Sequence, residues 1–155
     1  YTNDQRVQDQ LHKDLRRARA AGQSIIPTTT GAAKALGVVI PELKGKMHGF
    51  ALRVPIPTVS VVDLVVVMGR SASVEEINNA MRTASQGRMK GIMDVSDEPL
   101  VSADYVGNPF SCVVDAELTM TMGERMAKVV GWYDNEWGYA VRCADLMKFF
   151  GDRGL

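Results

Sequence analysis

Cysteine is scarce in this chain: among 155 residues only Cys112 and Cys143 occur, with no CxxC spacing and no histidine close to either. That argues against a disulfide framework or a zinc site and suits a reducing compartment such as the cytoplasm. An excess of one charge is also missing, because Lys+Arg and Asp+Glu each number 18 and the net charge is zero. A protein that grips nucleic acid through a broad basic field is therefore not expected, although a local cationic pocket stays open. No apolar run reaches membrane-spanning length, and no basic-then-apolar stretch opens the chain, so neither a membrane helix nor a signal peptide is read from it. Internal repeats and low-complexity segments are absent as well.

What is present is the composition of an ordinary soluble domain, 46% hydrophobic and 23% charged, with enough length to bury a core. We expect one domain over residues 1–155. Because Tyr1-Thr2-Asn3-Asp4-Gln5 reads as mid-domain sequence, a further segment is expected upstream.

Residues 1–22 are polar, crowd Arg16, Arg17 and Arg19 together, and hold neither a strand nor a helix period. They are expected to be a long loop, either disordered or held by partners. Thr28-Thr29-Thr30-Gly31 then leads into a helical run with Ala32, Leu36, Val39, Ile40 and Leu43 on one side. Alternation over Phe50–Ile56 and the valine-rich stretch from Thr58 to Met68 predict strands. Ser73-Val74-Glu75-Glu76 is a capping box, and the helix behind it is expected to end near Gly87. Residues 92–110 are mixed with loop signals, two strands are expected at 111–121 and 126–133, and a last helix at 136–150. Strands with helices between them and no regular βαβ alternation predict an α+β domain. The simplest arrangement is a mostly antiparallel or mixed sheet with helices over one face and the polar N-terminal loop as an excursion.

Three places could carry chemistry. Thr28-Thr29-Thr30-Gly31 opens a helix, where unpaired N–H groups favour an anion; the ordinary alternative is a threonine N-cap. Arg53 sits on an otherwise apolar strand and needs a partner, either a carboxylate such as Asp63 or a phosphate, which guanidinium matches with paired bonds. Trp132-Tyr133-Asp134-Asn135-Glu136-Trp137-Gly138-Tyr139 is either an aromatic core cluster with Asp134 or Asn135 as helix cap, or a ligand pocket with an amide that donates and accepts. Cys112 reads as a buried strand thiol and Cys143 as a helix residue, and His12 and His48 lack a spaced acid or nucleophile. No complete catalytic constellation assembles from these residues.

The same segments carry a resemblance over nearly the whole chain. Tyr1-Thr2-Asn3-Asp4-Gln5-Arg6, Leu15 through Ala21, Ser24 through Lys34, Pro41 through Lys46, Arg53-Val54-Pro55 and Trp132 through Tyr139 resemble bacterial or plastid-type phosphorylating glyceraldehyde-3-phosphate dehydrogenase, in its C-terminal, substrate-binding half. The resemblance implies an enzyme in which a cysteine activated by histidine attacks the aldehyde, hydride passes to nicotinamide, and phosphate releases the acyl group. It implies that Thr2 and Arg53 hold the substrate's phosphate. Thr30 and Gly31 would hold the attacking phosphate, with Arg53 shared and Arg17 adding charge. Asn135 would bond the nicotinamide carboxamide with Tyr139 nearby. It further implies that residues 1–22 line the cofactor pocket and pack against neighbouring subunits of a homotetramer.

Two departures bear on function. The family's Ser-Cys-Thr-Thr-Asn-Cys motif and the glycine-rich dinucleotide fingerprint are absent from these residues, and the activating histidine would fall two places before Tyr1. The chain alone is therefore expected to be inactive, with no catalytic residue of its own, and the missing dinucleotide-binding domain is its expected partner. Gln10-Leu11 stands where NAD-using members often carry Leu-Pro, a position that helps set the preference between NAD and NADP; NAD is the expected cofactor, with NADP left open. The expected substrates are glyceraldehyde 3-phosphate and inorganic phosphate, the product 1,3-bisphosphoglycerate, and the compartment the cytoplasm or a plastid. The competing expectation is a non-catalytic, stand-alone module used for oligomerisation or partner binding.

Overall fold

Apolar alternation on β-branched residues builds the larger of two sheets in this computed structural model, which describes residues 1–154 and, for Ala33 and Lys34, the backbone only. Two compact units divide the chain, Tyr1–Pro57 and Thr58–Leu155, and each is taken by itself.

In the second unit four strands pair in the order β3-β6-β5-β4. β3 (Ser60–Val67) runs antiparallel to β6 (Met126–Tyr133), from Ser60 opposite Tyr133 to Val67 opposite Met126. β5 (Cys112–Met122) is antiparallel to β6 on its other side, with a register shift between Asp115 and Met120. β4 (Met93–Ser96) lies parallel to β5, which makes the sheet mixed. β4 is a strand that sequence pattern did not reveal: Met93-Asp94-Val95-Ser96 has too few residues to establish a period.

Helix α2 (Val74–Gln86) starts on the expected capping box, with Ser73 Oγ accepting from Glu76 N at 3.1 Å and Glu76 Oε2 accepting from Ser73 N at 2.8 Å. It packs on β4 and β5, buries Ile77, and donates from Asn78 Nδ2 to the Ala116 carbonyl at 2.9 Å. Helix α3 (Trp137–Gly151) follows β6 directly. Its Gly138 sits so close to the Phe110 carbonyl that an added Cβ would lie 3.0 Å from that oxygen. The core of this unit is Val59, Tyr105 and Val113, with Leu100, Phe110 and Trp132 packed around it.

The first unit holds a short antiparallel pair, β1 (Ile26–Thr28) and β2 (Ala51–Arg53), with Ile26 opposite Arg53 and Thr28 opposite Ala51. β2 is shorter than the alternation over 50–56 suggested, since Pro55 has no N–H to give a ladder. Helix α1 (Ala32–Val39) stops before Pro41, which disfavours helical backbone at Ile40, and a single 3₁₀ turn carries Leu43 onward. Residues 1–23 are more ordered than their lack of period implied. Two 3₁₀ turns, Leu15–Ala18 and Ala21–Gln23, are tied by a parallel bridge between Arg6 and Ala20, and Asp14 caps the first turn from its side chain. Such side-chain ties leave no periodic trace in a sequence. The described residues form an α+β fold with three α-helices.

Candidate functional site

Arginine dominates the polar side of the first unit. The turn at Leu15–Ala18 packs against β1, which brings Arg17 to the exit of that strand. Its Nη2 donates to Thr29 Oγ1 at 3.3 Å and its Nη1 to Asp4 Oδ2 at 3.2 Å. Asp14 Oδ2 stands 3.4 Å from Nε, near enough to pair as an ion but too poorly aligned to bond, and Nε remains without a hydrogen-bond partner. Beside it, Thr30 Oγ1 accepts from Ala32 N at 3.2 Å, which leaves the Thr30 hydroxyl proton to give. Gly31 has ordinary right-handed backbone, φ −77° and ψ −14°, so the turn does not require glycine. What glycine provides is room, since an added Cβ would meet nothing within 4 Å. A cleft of about 580 Å³ opens next to Thr29 and Thr30, bounded by Lys44, His48 and Phe50.

Arg53 lies at the far end of the short sheet from that exit. It is opposite Ile26, two residues before Thr28, a strand distance of roughly 7 Å. Its Nε is buried without a partner, and among the described residues no carboxylate lies within ion-pair distance of it. Asp63, the carboxylate considered for it, is held by Lys128 on β6 at 2.9 Å. The Tyr1 amino group donates to the Val54 and Ile56 carbonyls at 3.2 and 3.3 Å, laying the Thr2 segment along the chain just past Arg53. Thr2 itself is exposed; its hydroxyl contacts Gln5 Oε1 at 3.2 Å.

Several buried polar atoms of this unit lack a partner. Gln5 Nε2, Arg6 Nε, Arg17 Nε and Arg53 Nε are buried without partners, as is the hydroxyl of the buried Thr28. Stranded donors of this kind are satisfied by an acceptor-rich group such as phosphate. Arg6 and Gln5 were not singled out from the sequence, because nothing in their spacing distinguishes a buried polar side chain from an exposed one; Thr28 was named only as part of the Thr28-Thr29-Thr30-Gly31 segment.

The second unit places Asn135 and Tyr139 at the junction of β6 and α3. Asp134 is buried; its Oδ1 accepts from Glu136 N at 3.0 Å and Trp137 N at 2.9 Å, and its Oδ2 from Gly107 N at 2.8 Å. Burial pushes its carboxyl pKa up, but these backbone bonds and the Thr58 hydroxyl outweigh that and hold it below its usual value. Asp134 therefore does the capping, accepting the N–H groups that lead into α3 although Glu136 immediately precedes the helix, and Asn135 is left exposed with Oδ1 accepting from Ser60 Oγ at 3.1 Å. Trp137 and Tyr139 are 52% and 73% exposed, so they are not core. Trp132 is the aromatic that packs, stacked on Tyr105 at 5.6 Å and donating Nε1–H to Asp115 Oδ2 at 3.0 Å. Asp115, only 3% exposed, also accepts from Leu118 N at the register shift, and a lone acid among Val113, Val114 and Ala116 was the available signal for it.

Cys112 is poorly placed for nucleophilic work. Burial pushes the Cys112 pKa up, and Cys143 is exposed on α3. Among the described residues no cluster of metal-ligating side chains occurs, and no helix is long and apolar enough to cross a membrane.

Residues 1–135 match the family described as "Glyceraldehyde 3-phosphate dehydrogenase, C-terminal domain". The chain is similar to glyceraldehyde-3-phosphate dehydrogenase 2 of Bacillus subtilis, at 59% identity over 99% of the chain and 45% of the relative. It is similar to the Geobacillus stearothermophilus glyceraldehyde-3-phosphate dehydrogenase at 57% over 100% of the chain and 46% of the relative. A chloroplastic counterpart from Chlamydomonas reinhardtii is 60% identical over 94% of the chain and 39% of the relative. The chain thus spans less than half the length of these curated relatives.

Proposed function

The chain belongs to the glyceraldehyde-3-phosphate dehydrogenase C-terminal domain family, and from that premise we propose that it supplies the phosphate-binding side of such an enzyme. The observation that carries this reading is the buried Nε of Arg53, a guanidinium on a strand with no carboxylate beside it among the described residues. Thr2 and Arg53 would hold the phosphate of glyceraldehyde 3-phosphate. Thr30 and Gly31 would hold the inorganic phosphate, and the bond from Arg17 to Thr29 supports placing the Arg17 charge on that second anion. Arg53 would be shared between the two anions through its long side chain.

Bound NAD, with NADP as the other candidate, would accept hydride as the aldehyde becomes 1,3-bisphosphoglycerate. Toward that cofactor the chain would offer Asn135. With one oxygen lone pair turned to Ser60, its exposed carboxamide retains the donors that a nicotinamide carboxamide needs. Tyr139 would lie alongside. We assign no catalytic residue to this chain and propose that it is inactive without a dinucleotide-binding domain carrying the cysteine and histidine. The glycolytic role, a homotetrameric assembly in which residues 1–22 contribute to the cofactor pocket and subunit contacts, and a cytoplasmic or plastid location follow from the same reading. The other reading, a stand-alone module for oligomerisation or partner binding, gives Arg53 no anion to hold.

Thermal unfolding with and without inorganic phosphate tests the assignment. At a hundred times its dissociation constant, a ligand of the native state stabilises by about 2.7 kcal/mol. Phosphate should protect the chain, Arg53→Ala should lose most of that protection, and Arg53→Lys should keep part of it because charge survives without the planar fork. Equal protection of all three proteins would remove Arg53 from the site.

A further inference from the structure

Gln5 is 5% exposed, although Asp4 before it lies open to solvent and Arg6 after it is only half-buried. Its Oε1 accepts from the Thr2 main-chain N–H at 2.9 Å and stands 3.2 Å from the Thr2 hydroxyl. The Gln5 main-chain N–H returns to the Thr2 carbonyl at 3.2 Å, so the four-residue turn is closed by both backbone and side chain. The direction of the carboxamide is settled by this geometry, because turning it over would set Nε2 against an N–H, donor to donor.

In that orientation Nε2 is buried and finds no partner among the described residues. An apolar side chain of similar length would strand no donor, so what compensates at this position is the hold that Oε1 has on Thr2. A threonine hydroxyl has one proton and two lone pairs. Asp4 N contacts that oxygen at 3.4 Å, and Oε1 is the resting acceptor of the proton. Because Thr2 is exposed, an arriving phosphate oxygen can take the proton by rotation of the O–H alone. Oε1 is not stranded when that happens, since it keeps the Thr2 main-chain N–H.

We propose that Gln5 is the positioning residue that presents the Thr2 hydroxyl to phosphate, an inference that rests on the reading of Thr2 as a phosphate ligand. Gln5 acts through Thr2 and does not touch the anion. It fixes where the hydroxyl oxygen sits and parks its proton until the anion arrives.

A double-mutant cycle on the whole chain tests this, with glycerol 3-phosphate, a monoester like the substrate phosphate assigned to Thr2, as the probe and its affinity read by calorimetric titration. Gln5→Met and Thr2→Val should each weaken its binding by roughly tenfold or more, the scale of one hydrogen bond to a charged group. Together they should weaken it no more than Thr2→Val alone, because Gln5 has nothing left to position. Fully multiplicative losses would overturn the inference, as would an unchanged affinity in Gln5→Met. Hydrogen exchange on the unaltered chain supplies a readout that needs no variant. The Thr2 amide should be protected before the probe is added, and a freely exchanging amide would overturn the grip even if Gln5→Met does not fold. No binding of glycerol 3-phosphate by the unaltered chain, with the amide protected, would overturn the phosphate reading and the role of Gln5 with it. Binding by the unaltered chain that Gln5→Met matches would overturn the role of Gln5 alone.

Discussion

Asp134 and Asn135 are neighbours with opposite fates. Asp134 turns inward and spends its carboxylate on three backbone N–H groups, while Asn135 stays in solvent. Replacing Asp134 by Ala should cost about 1–2 kcal/mol, at the upper end for a helix cap because Gly107 loses its acceptor too. The pH dependence has a definite sign. The folded-state pKa of Asp134 lies below its unfolded value, so its contribution is fully present above the unfolded carboxylate range. It is lost as pH falls through the folded value. Denaturant unfolding at neutral and acidic pH should show the Asp134→Ala deficit shrinking as acid is added. A deficit that is constant with pH would mean that the carboxylate charge plays no part. Residues of this kind were only partly legible. Arg53 and Thr30 stood out because a charge on an apolar strand and a hydroxyl before a helix are local anomalies. Asp134 could be narrowed to a choice between two residues, but only burial separates the cap from its neighbour. Gln5 gave no sign, since its partner Thr2 is polar as well and the burial that matters comes from folding.

Elements with a full period were readable, and those built from a few residues were not. The capping box at Ser73 and Glu76 is written in four letters and formed both of its bonds, and β3, β5 and β6 carry enough β-branched residues to declare themselves. β4, with four residues, depends on β5 to exist, and the 3₁₀ turns of the first unit depend on side-chain ties. The pairing of β5 with β6 contains a constraint that neither strand shows alone. An alanine at Gly131 would place its Cβ 2.6 Å from Cys112 Sγ, closer than side chains approach. Gly131→Ala should therefore destabilise the chain by about 1–3 kcal/mol, as overpacking does. Cys112→Ala removes the obstructing sulfur, so the pair of substitutions together should be less harmful than the sum of the two. Chemical denaturation of the four proteins measures this coupling, and strict additivity would locate the strain elsewhere.

At the scale of the whole molecule, the second unit leaves a great deal of apolar surface uncovered. β3 is the edge of its sheet, yet Val61, Val65 and Val67 are 51, 57 and 71% exposed, and Val62 on the opposite face is 45% exposed. An edge strand this rich in exposed valine is a template for association, and edges left bare are ordinarily short, bulged or charged. Asp63 and its partner Lys128 supply the charge near the middle of the strand, but nothing comparable stands at Val65–Val67. The chain also spans less than half the length of its relatives. We predict concentration-dependent self-association, visible as a rise in weight-average mass by sedimentation equilibrium. Val65→Lys and Val67→Lys should each shift that equilibrium towards monomer by adding a charge that must be desolvated in any contact. Both positions are exposed, so Val67→Lys should leave the unfolding free energy within about half a kcal/mol of the starting chain, while Val65→Lys, set opposite Lys128, should cost somewhat more. Loss of stability together with loss of association would mean that these valines support the fold itself. Unchanged association would direct the search to the other exposed apolar surface, the Met147, Phe149 and Phe150 end of α3, where the same lysine test applies.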